Sequence, residues 1–246
     1  MQTDIICLCK YIYMYDYFGD IVCINLMSRP DRKRHAVAVF GELGIPVRFF
    51  PAEIDPQGGI VGCFKSHISI IQEAVTRDLD NVLVFEDDVI PTTSYSAESM
   101  REAIRFMKES QTWDIFHFGY FCYNTDPLDV YMFAKTQKMG KRMIARYNPL
   151  GTHAYCVSRR GMNKMLSQDW SNYIGHMHVD VFYANHAGLV NYCIVPMVFN
   201  QKMCLESNIE ATNVIERIMR SVQCVAVDKL QVMYVLSLIK YVVFEM

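Results

Sequence analysis

The sequence lacks the patterns that would place it in several common classes. Its nine cysteines are odd in number and include no C-x-x-C pair, which disfavours a zinc ribbon or a thioredoxin-like redox site. Its net charge is only −2, so no strong field attracts nucleic acid, and no nucleic-acid partner is predicted. What is present is a chain with 52% hydrophobic residues, which is enough for a full core.

The cysteines and the N-terminus indicate where the protein acts. Cys23, Cys156 and Cys193 lie within apolar strand-like runs, where a free thiol behaves as a small hydrophobic side chain. The sequence also contains no N-x-S/T sequon. The apolar N-terminus is interrupted by Asp4 and Lys10 and is not a convincing secretory signal. These features predict a cytoplasmic protein, and the lumen of the endoplasmic reticulum is less favoured.

The C-terminal segment 231–246, QVMYVLSLIKYVVFEM, is the most hydrophobic part of the chain. It is shorter than the about 20 residues that cross a bilayer, and Lys240 interrupts it. We expect it to pack as a docking helix or a last strand, or to lie at a membrane surface. A peripheral membrane contact or an oligomer contact through this tail is therefore an open alternative.

Strand-like segments alternate with segments of helical periodicity along most of the chain. This order favours an α/β fold with a mostly parallel central sheet covered by helices. No repeat or linker divides the chain, so residues 1–246 are predicted to form a single domain. The predicted strands are 21–26, 47–50, 82–85, 114–120, 142–147, 153–157 and 190–199, and the predicted helices are 30–43, 63–78, one beginning at Ser96 or Ser99, one capped by Ser158, and 179–186.

The most informative segment is NVLVFEDDVIP, residues 81–91. An apolar strand ends abruptly in Glu86, Asp87 and Asp88, and Pro91 is expected to stop strand pairing soon afterwards. Three carboxylates at a strand end repel one another, and a bound divalent cation would offset that cost. Ligands of open α/β sheets bind at the carboxyl ends of strands, so we predict a metal–diphosphate site here. The alternative is an acidic turn that leaves the sheet.

Two helix starts carry further candidates. Asn25 ends a strand, and Arg29 and Arg32 follow at the beginning of a helix, where an amide and guanidinium groups can face anions or a planar base. The segment GCFKSH offers Ser66 and His67 as hydrogen-bond donors. The alternatives are a solvated basic helix face and a core histidine.

Read in order, the motifs resemble glycosyltransferase family 25, which includes lipooligosaccharide galactosyltransferases and collagen hydroxylysine galactosyltransferases. The resemblance rests on INL with R-x-x-R, on G-C-x-x-S-H, and on a strand ending in E-D-D. It continues with GTHAYCVS, with His178-Val179-Asp180, and with Pro196, Gln201 and Ser207-Asn208-Ile209. It spans about residues 21–209 and leaves 210–246 as a C-terminal extension.

The resemblance implies a single GT-A-type, Rossmann-like domain that is a metal-dependent, inverting hexosyltransferase. The donor would be a UDP-sugar, with galactose the first guess and glucose the second. The acceptor would be a hydroxyl on a glycan or a hydroxylysine-type protein. Mn²⁺ or Mg²⁺ would neutralise the leaving diphosphate.

The resemblance also implies roles for individual residues. Asp88 and Glu86 would form the metal site, with Asp88 touching the metal and Glu86 binding the ribose or a metal-bound water. The residues that would bind the nucleotide sugar are Asn25, Arg29, Arg32, Ser66, His67, Glu86 and Asp87. Asp180 would be the catalytic base, and its alternative is a carboxylate that stabilises a helix N-terminus. His153 would orient the acceptor or the diphosphate.

Two other functions compete with this interpretation. A metal-dependent nucleotidyltransferase or phosphoesterase would also use acids at a strand end, although the sequence lacks the phosphate-binding glycine–lysine loop common in such enzymes. A catalytically silent binding protein on the same fold would keep the motifs without turnover.

Overall fold

The computed structural model describes residues 14–110, 112–121, 136–139, 142–146, 148–185 and 188–202. The strands are β1 Ile21–Leu26, β2 Arg48–Ala52, β3 Asn81–Glu86, β4 Val89–Pro91, β5 Ile115–Phe121, β6 Thr136–Met139, β7 Arg142–Arg146, β8 Leu150–Ser158, β9 Asn191–Val195 and β10 Phe199–Gln201. The helices are α1 Pro30–Leu43, α2 Gly59–Thr76, α3 Ala97–Glu109, α4 Arg159–Leu166 and α5 Val179–Asn185, with a 3₁₀ turn at Trp170–Asn172.

Eight of these strands form one twisted sheet in the order β2-β1-β3-β8-β5-β9-β7-β6. β1 pairs in parallel with both β2 and β3, and β5 pairs in parallel with β9. β8 is antiparallel to both β3 and β5, and β7 is antiparallel to both β9 and β6. All strands of the sheet except β7 and β8 therefore point the same way, which confirms the predicted mostly parallel sheet.

Helices cover both faces of the sheet because side chains alternate along each buried strand. Leu83 and Phe85 of β3 face a core formed with α1 and α3. Val82 and Val84 of the same strand face a second core formed with α2, α4 and α5. These two layers confirm the α/β, Rossmann-like class.

Local signals at helix ends agree with the structure. Gly44 ends α1 with a φ of 64°, a left-handed conformation that glycine adopts without strain. Ser96 and Ser99 both contribute at the start of α3, as N-cap and N3 of a reciprocal capping box. Ser158 caps α4 by accepting a hydrogen bond from the Gly161 N–H.

Several predicted boundaries were wrong. Pro91 does not prevent pairing, because it ends an edge strand opposite Phe199. The predicted strand 190–199 is two strands, interrupted by the cis peptide bond Val195–Pro196. α2 begins four residues before the predicted 63, because the glycine-bearing loop before it is partly helical. β2 begins at Arg48 and runs to Ala52, beyond the predicted 47–50.

Other predictions lie partly or wholly outside the described residues. The tail 231–246, the first thirteen residues, His186 and Ser207-Asn208-Ile209 are among them. The single-domain assignment of 1–246, with 210–246 as an extension, stays a prediction. Among the helices that the structure describes, none is long and apolar enough to cross a bilayer.

Candidate active site

The candidate site lies at one edge of the sheet because three strands meet there. β1 and β3 are parallel, so both end at this edge, with Ile24 opposite Glu86. β8 runs the other way, with Ala154 opposite Phe85, so its first residues lie at the same edge. Asn25, Glu86 and Thr152, which are far apart in the chain, are therefore neighbours.

Arg32 binds the two aspartates that follow β3. Its Nε donates to Asp87 Oδ1 at 2.6 Å, and its Nη2 lies 2.7 Å from Asp88 Oδ2. Asn25 Nδ2 donates to the other oxygen of Asp87 at 2.7 Å. Arg32, Asp87 and Asn25 are all at least 93% buried. A bound metal was expected to offset the repulsion among the three carboxylates. Arg32 relieves much of this repulsion instead.

Asp88 retains one carboxylate oxygen for another ligand. Its Oδ1 is buried and has no hydrogen-bond partner among the residues that the structure describes. Burial, followed by the charges of Glu86 and Asp87, raises the pKa of Asp88 to about 7, against the opposing effect of Arg32. A buried carboxylate oxygen without a partner is costly, so this atom is suited to a cation.

Glu86 is held by neutral donors from two other strands. Its Oε1 accepts a hydrogen bond from Thr152 Oγ1 at 2.7 Å, and its Oε2 accepts one from Gln201 Nε2 at 3.0 Å. Burial alone would raise the pKa of Glu86, but hydrogen bonding and charge from His67, with the Thr152 hydrogen bond, lower it to about 2. Glu86 is therefore a fixed carboxylate anion at neutral pH.

His67 reaches the site through Glu86. Its Nε2 lies 3.6 Å from Glu86 Oε1, and its Nδ1 lies 2.7 Å from the hydroxyl of Tyr155. Burial, the largest effect, raises the pKa of Tyr155 well above its usual value, so the phenol beside Nδ1 stays protonated. The side chain of His67 is only 1% exposed.

The acids fit a divalent cation only in part. Within the described residues, no three His, Cys, Asp or Glu side chains form a metal-binding group. The unpartnered Oδ1 of Asp88 and the ionised Glu86 nevertheless supply the oxygen ligands that Mg²⁺ and Mn²⁺ prefer. Mg²⁺ is usually bound by one or two carboxylates, with water and substrate phosphates completing its shell. The residues therefore fit a metal that arrives with, or is completed by, a diphosphate.

Two other predicted nucleotide-binding residues make local contacts. Arg29 forms a two-point contact with Asp31, from its Nε at 2.9 Å and from its Nη2 at 2.8 Å. Ser66 Oγ donates to the Gly62 carbonyl one helical turn earlier, at 2.7 Å. Arg29 is the N-cap residue of α1 and Ser66 lies in α2, and their roles toward a nucleotide stay predictions.

His153 is a buried, neutral imidazole. It is 0% exposed, and burial lowers its pKa to about 4 although the charge of Glu86 opposes that shift. Its ring packs 5.1 Å from that of Phe121, centroid to centroid, and against Gly119, where an added Cβ would also meet the Phe199 carbonyl at 2.7 Å. The contact of His153 with the acceptor or the diphosphate stays a prediction.

Asp180 lies in the first turn of α5 and joins that helix to β8. Its Oδ2 accepts the Gly151 N–H at 2.8 Å, and its Oδ1 accepts the Val181 N–H at 2.8 Å. Gly151 has a φ of 93°, which favours glycine. The carboxylate thus accepts a hydrogen bond at the start of α5 and connects this helix to β8. It keeps further lone pairs with which to accept a proton.

Sequence reasoning missed Thr152, Gln201 and Tyr155 as members of the site. Each stands in a motif quoted above, since Thr152 and Tyr155 belong to GTHAYCVS and Gln201 to the P…Q…S-x-I tail. Their side chains reach Glu86 or His67 only once the sheet has formed.

The family model of glycosyltransferase family 25, described as LPS biosynthesis protein, matches residues 56–183, just over half of the chain. The chain belongs to glycosyltransferase family 25. The matched region contains the acidic turn, His67, His153 and Asp180.

Curated relatives in animals share this region. The human inactive glycosyltransferase 25 family member 3 is 31% identical in an alignment of length 129 that covers 42% of this chain and 22% of that protein. The bovine probable inactive member 3 is 28% identical, over 61% of this chain and 29% of its own length. Mouse procollagen galactosyltransferase 2 is 26% identical, over 42% of this chain and 21% of its own length. The chain thus spans less than a third of the length of these relatives.

A solved structure of a glycosyltransferase involved in the glycosylation of the major capsid of PBCV-1 is 11% identical, with a TM-score of 0.44. The similarity covers 76% of this chain and 94% of that one.

Proposed function

We propose that this protein is a metal-dependent, inverting glycosyltransferase that moves a hexose from a UDP-sugar to a hydroxyl acceptor. Galactose is the first candidate for the hexose and glucose the second, and the acceptor would be a glycan or a hydroxylysine-type protein. The observation that carries the proposal is the acidic turn, which holds an ionised Glu86 near an unpartnered Asp88 oxygen in a family 25 chain.

The two carboxylates would divide the work of donor binding. Asp88 Oδ1 would bind Mn²⁺ or Mg²⁺, and Glu86 would bind the ribose or a water on the metal. The metal would supply charge neutralisation for the leaving diphosphate. Arg32 and Asn25 both donate hydrogen bonds to Asp87, so Asp87 would have a structural role in the donor site.

The acceptor hydroxyl needs a base because it is a weak nucleophile at neutral pH. Asp180 is the first candidate, since the Gly151 and Val181 N–H groups orient its carboxylate and no cation neutralises it in the contacts described. We expect the acceptor to approach from the α5 side of the site. We further propose that the protein acts in the cytoplasm, with the apolar tail available for a membrane or oligomer contact.

A screen of nucleotide sugars with Mn²⁺ tests the proposal. Wild-type protein should gain thermal stability with UDP and Mn²⁺ together, by mass action, and should release the sugar from one UDP-hexose. Asp88→Ala is the matched control and should lose both effects without losing its fold. Absence of UDP binding by the wild type at millimolar concentration would sink the proposal.

A second candidate is a catalytically silent protein on the same fold. It is favoured by the human and bovine relatives whose names include the word inactive. Such a protein would bind UDP with Mn²⁺ and show no sugar release with any donor. A nucleotidyltransferase or phosphoesterase would instead incorporate or cleave the nucleotide, and the same screen separates it.

A further inference from the structure

The Glu86 carboxylate accepts a hydrogen bond on each oxygen, and His67 Nε2 also lies 3.6 Å from Oε1. The Thr152 hydroxyl from β8 reaches Oε1 at 2.7 Å, and the Gln201 amide from β10 reaches Oε2 at 3.0 Å. A carboxylate offers about four lone-pair sites, so these contacts leave room for a ligand on Oε2, where Gln201 is the donor that the structure describes. They fix the direction in which the remaining lone pairs point.

The backbone around Gln201 is itself tied to the acidic turn. Gln201 stands opposite Val89 in the β4–β10 pair, and the Lys202 N–H donates to the Asp88 carbonyl at 2.7 Å. Thr152 is only 6% exposed, so its hydroxyl has little freedom. Both donors therefore approach Glu86 from positions that the sheet sets.

We propose that Thr152 and Gln201 are positioning residues that hold Glu86 in the orientation needed to bind the UDP–metal complex. This inference rests on the proposed function. Groups that orient a ligand of a metal site typically change its affinity by about 10- to 100-fold when they are removed.

The test is calorimetric UDP affinity at saturating Mn²⁺, measured on full-length variants. Thr152→Val removes the hydroxyl at nearly constant shape, and Gln201→Met removes the amide. Each should weaken UDP binding by about 10- to 100-fold. Thr152→Ser keeps the hydroxyl and should restore affinity to within a few-fold of wild type.

Thr92→Val is the matched control, because Thr92 Oγ1 donates to the Met197 carbonyl at 2.8 Å and does not touch Glu86. It should cost similar thermal stability and leave UDP affinity unchanged. Equal losses of affinity in Thr152→Val and Thr92→Val would overturn the inference, since the effect would then be one of stability.

Wild-type binding with unchanged affinity in Thr152→Val and Gln201→Met would overturn the positioning role and leave the proposed function intact. No UDP binding by the wild type would overturn both. If Gln201→Met fails to fold, the Val and Ser variants of Thr152 decide the matter.

Discussion

Replacing Arg32 by methionine tests whether the chain neutralises its own acidic turn. Arg32 contacts Asp87 at 2.6 Å and Asp88 at 2.7 Å, and the three side chains are 9%, 6% and 14% exposed. Methionine keeps the apolar stem of the side chain and removes the guanidinium group, so two buried carboxylates lose their counter-ion. Removing one partner of a buried pair costs about 3–5 kcal/mol.

For a chain of this size, each kcal/mol moves the melting temperature by about 2–4 °C. Arg32→Met should therefore melt roughly 6–20 °C below wild type in the absence of metal. Arg29→Met is the matched control, because Arg29 pairs with Asp31, a residue whose side chain is 45% exposed. Exposed ion pairs contribute little to stability, so this variant should melt near wild type.

The assay is thermal unfolding followed by circular dichroism, with EDTA and then with Mn²⁺. Mn²⁺ should recover part of the loss in Arg32→Met, because a cation can replace the missing positive charge. The double variant R32M/D87N should also recover part of it, since one of the unpaired charges is gone. Equal melting temperatures for Arg32→Met and Arg29→Met would refute the reasoning.

Four other variants probe separate parts of the structure. If Asp180 is the base, Asp180→Asn should lower the rate of sugar transfer by about 10²–10⁴-fold and leave the UDP affinity intact. A rate near that of wild type would mean that Asp180 has only the structural role of accepting the Gly151 N–H. Asp88→Ala should abolish Mn²⁺-dependent UDP binding in calorimetry, and unchanged turnover would contradict its metal role. Asp114→Ala removes a buried carboxylate that pairs with Arg160 and Lys164 and accepts the Val190 N–H, so it should lower the free energy of unfolding by about 3 kcal/mol or more, with kcat unchanged. Gly119→Ala should cost about 1–3 kcal/mol in urea unfolding, because its Cβ would lie 2.7 Å from a backbone carbonyl; wild-type stability would mean that the strand can shift.

Local patterns predicted much of the fold and the position of the acids. The run Val82 to Phe85 is apolar and ends in charge, so both the strand and its exposed end follow from residues that are adjacent in the chain. The serine caps of α3 and α4 are similarly local, because each depends on a hydrogen bond over three residues.

The partners of the acids could not be predicted in the same way. Arg32 and Asp87 are 55 residues apart, and Gln201 and Glu86 are 115 apart. Nothing in the sequence near Arg32 distinguishes a guanidinium that faces a nucleotide from one that faces Asp87. The short pair β4–β10 was missed because a proline usually argues against a strand, and only its edge position makes Pro91 acceptable.

The contact between Gln201 and Glu86 also has a consequence for the order of assembly. Contacts between residues far apart in the chain form late, because closing a long loop costs entropy before the contact gains any energy. During synthesis, β1, β2 and β3 emerge and can pair well before β10 exists. The carboxylate of Glu86 acquires its second donor only when residue 201 has been made, so a competent donor site marks a chain that has been synthesised to at least that point.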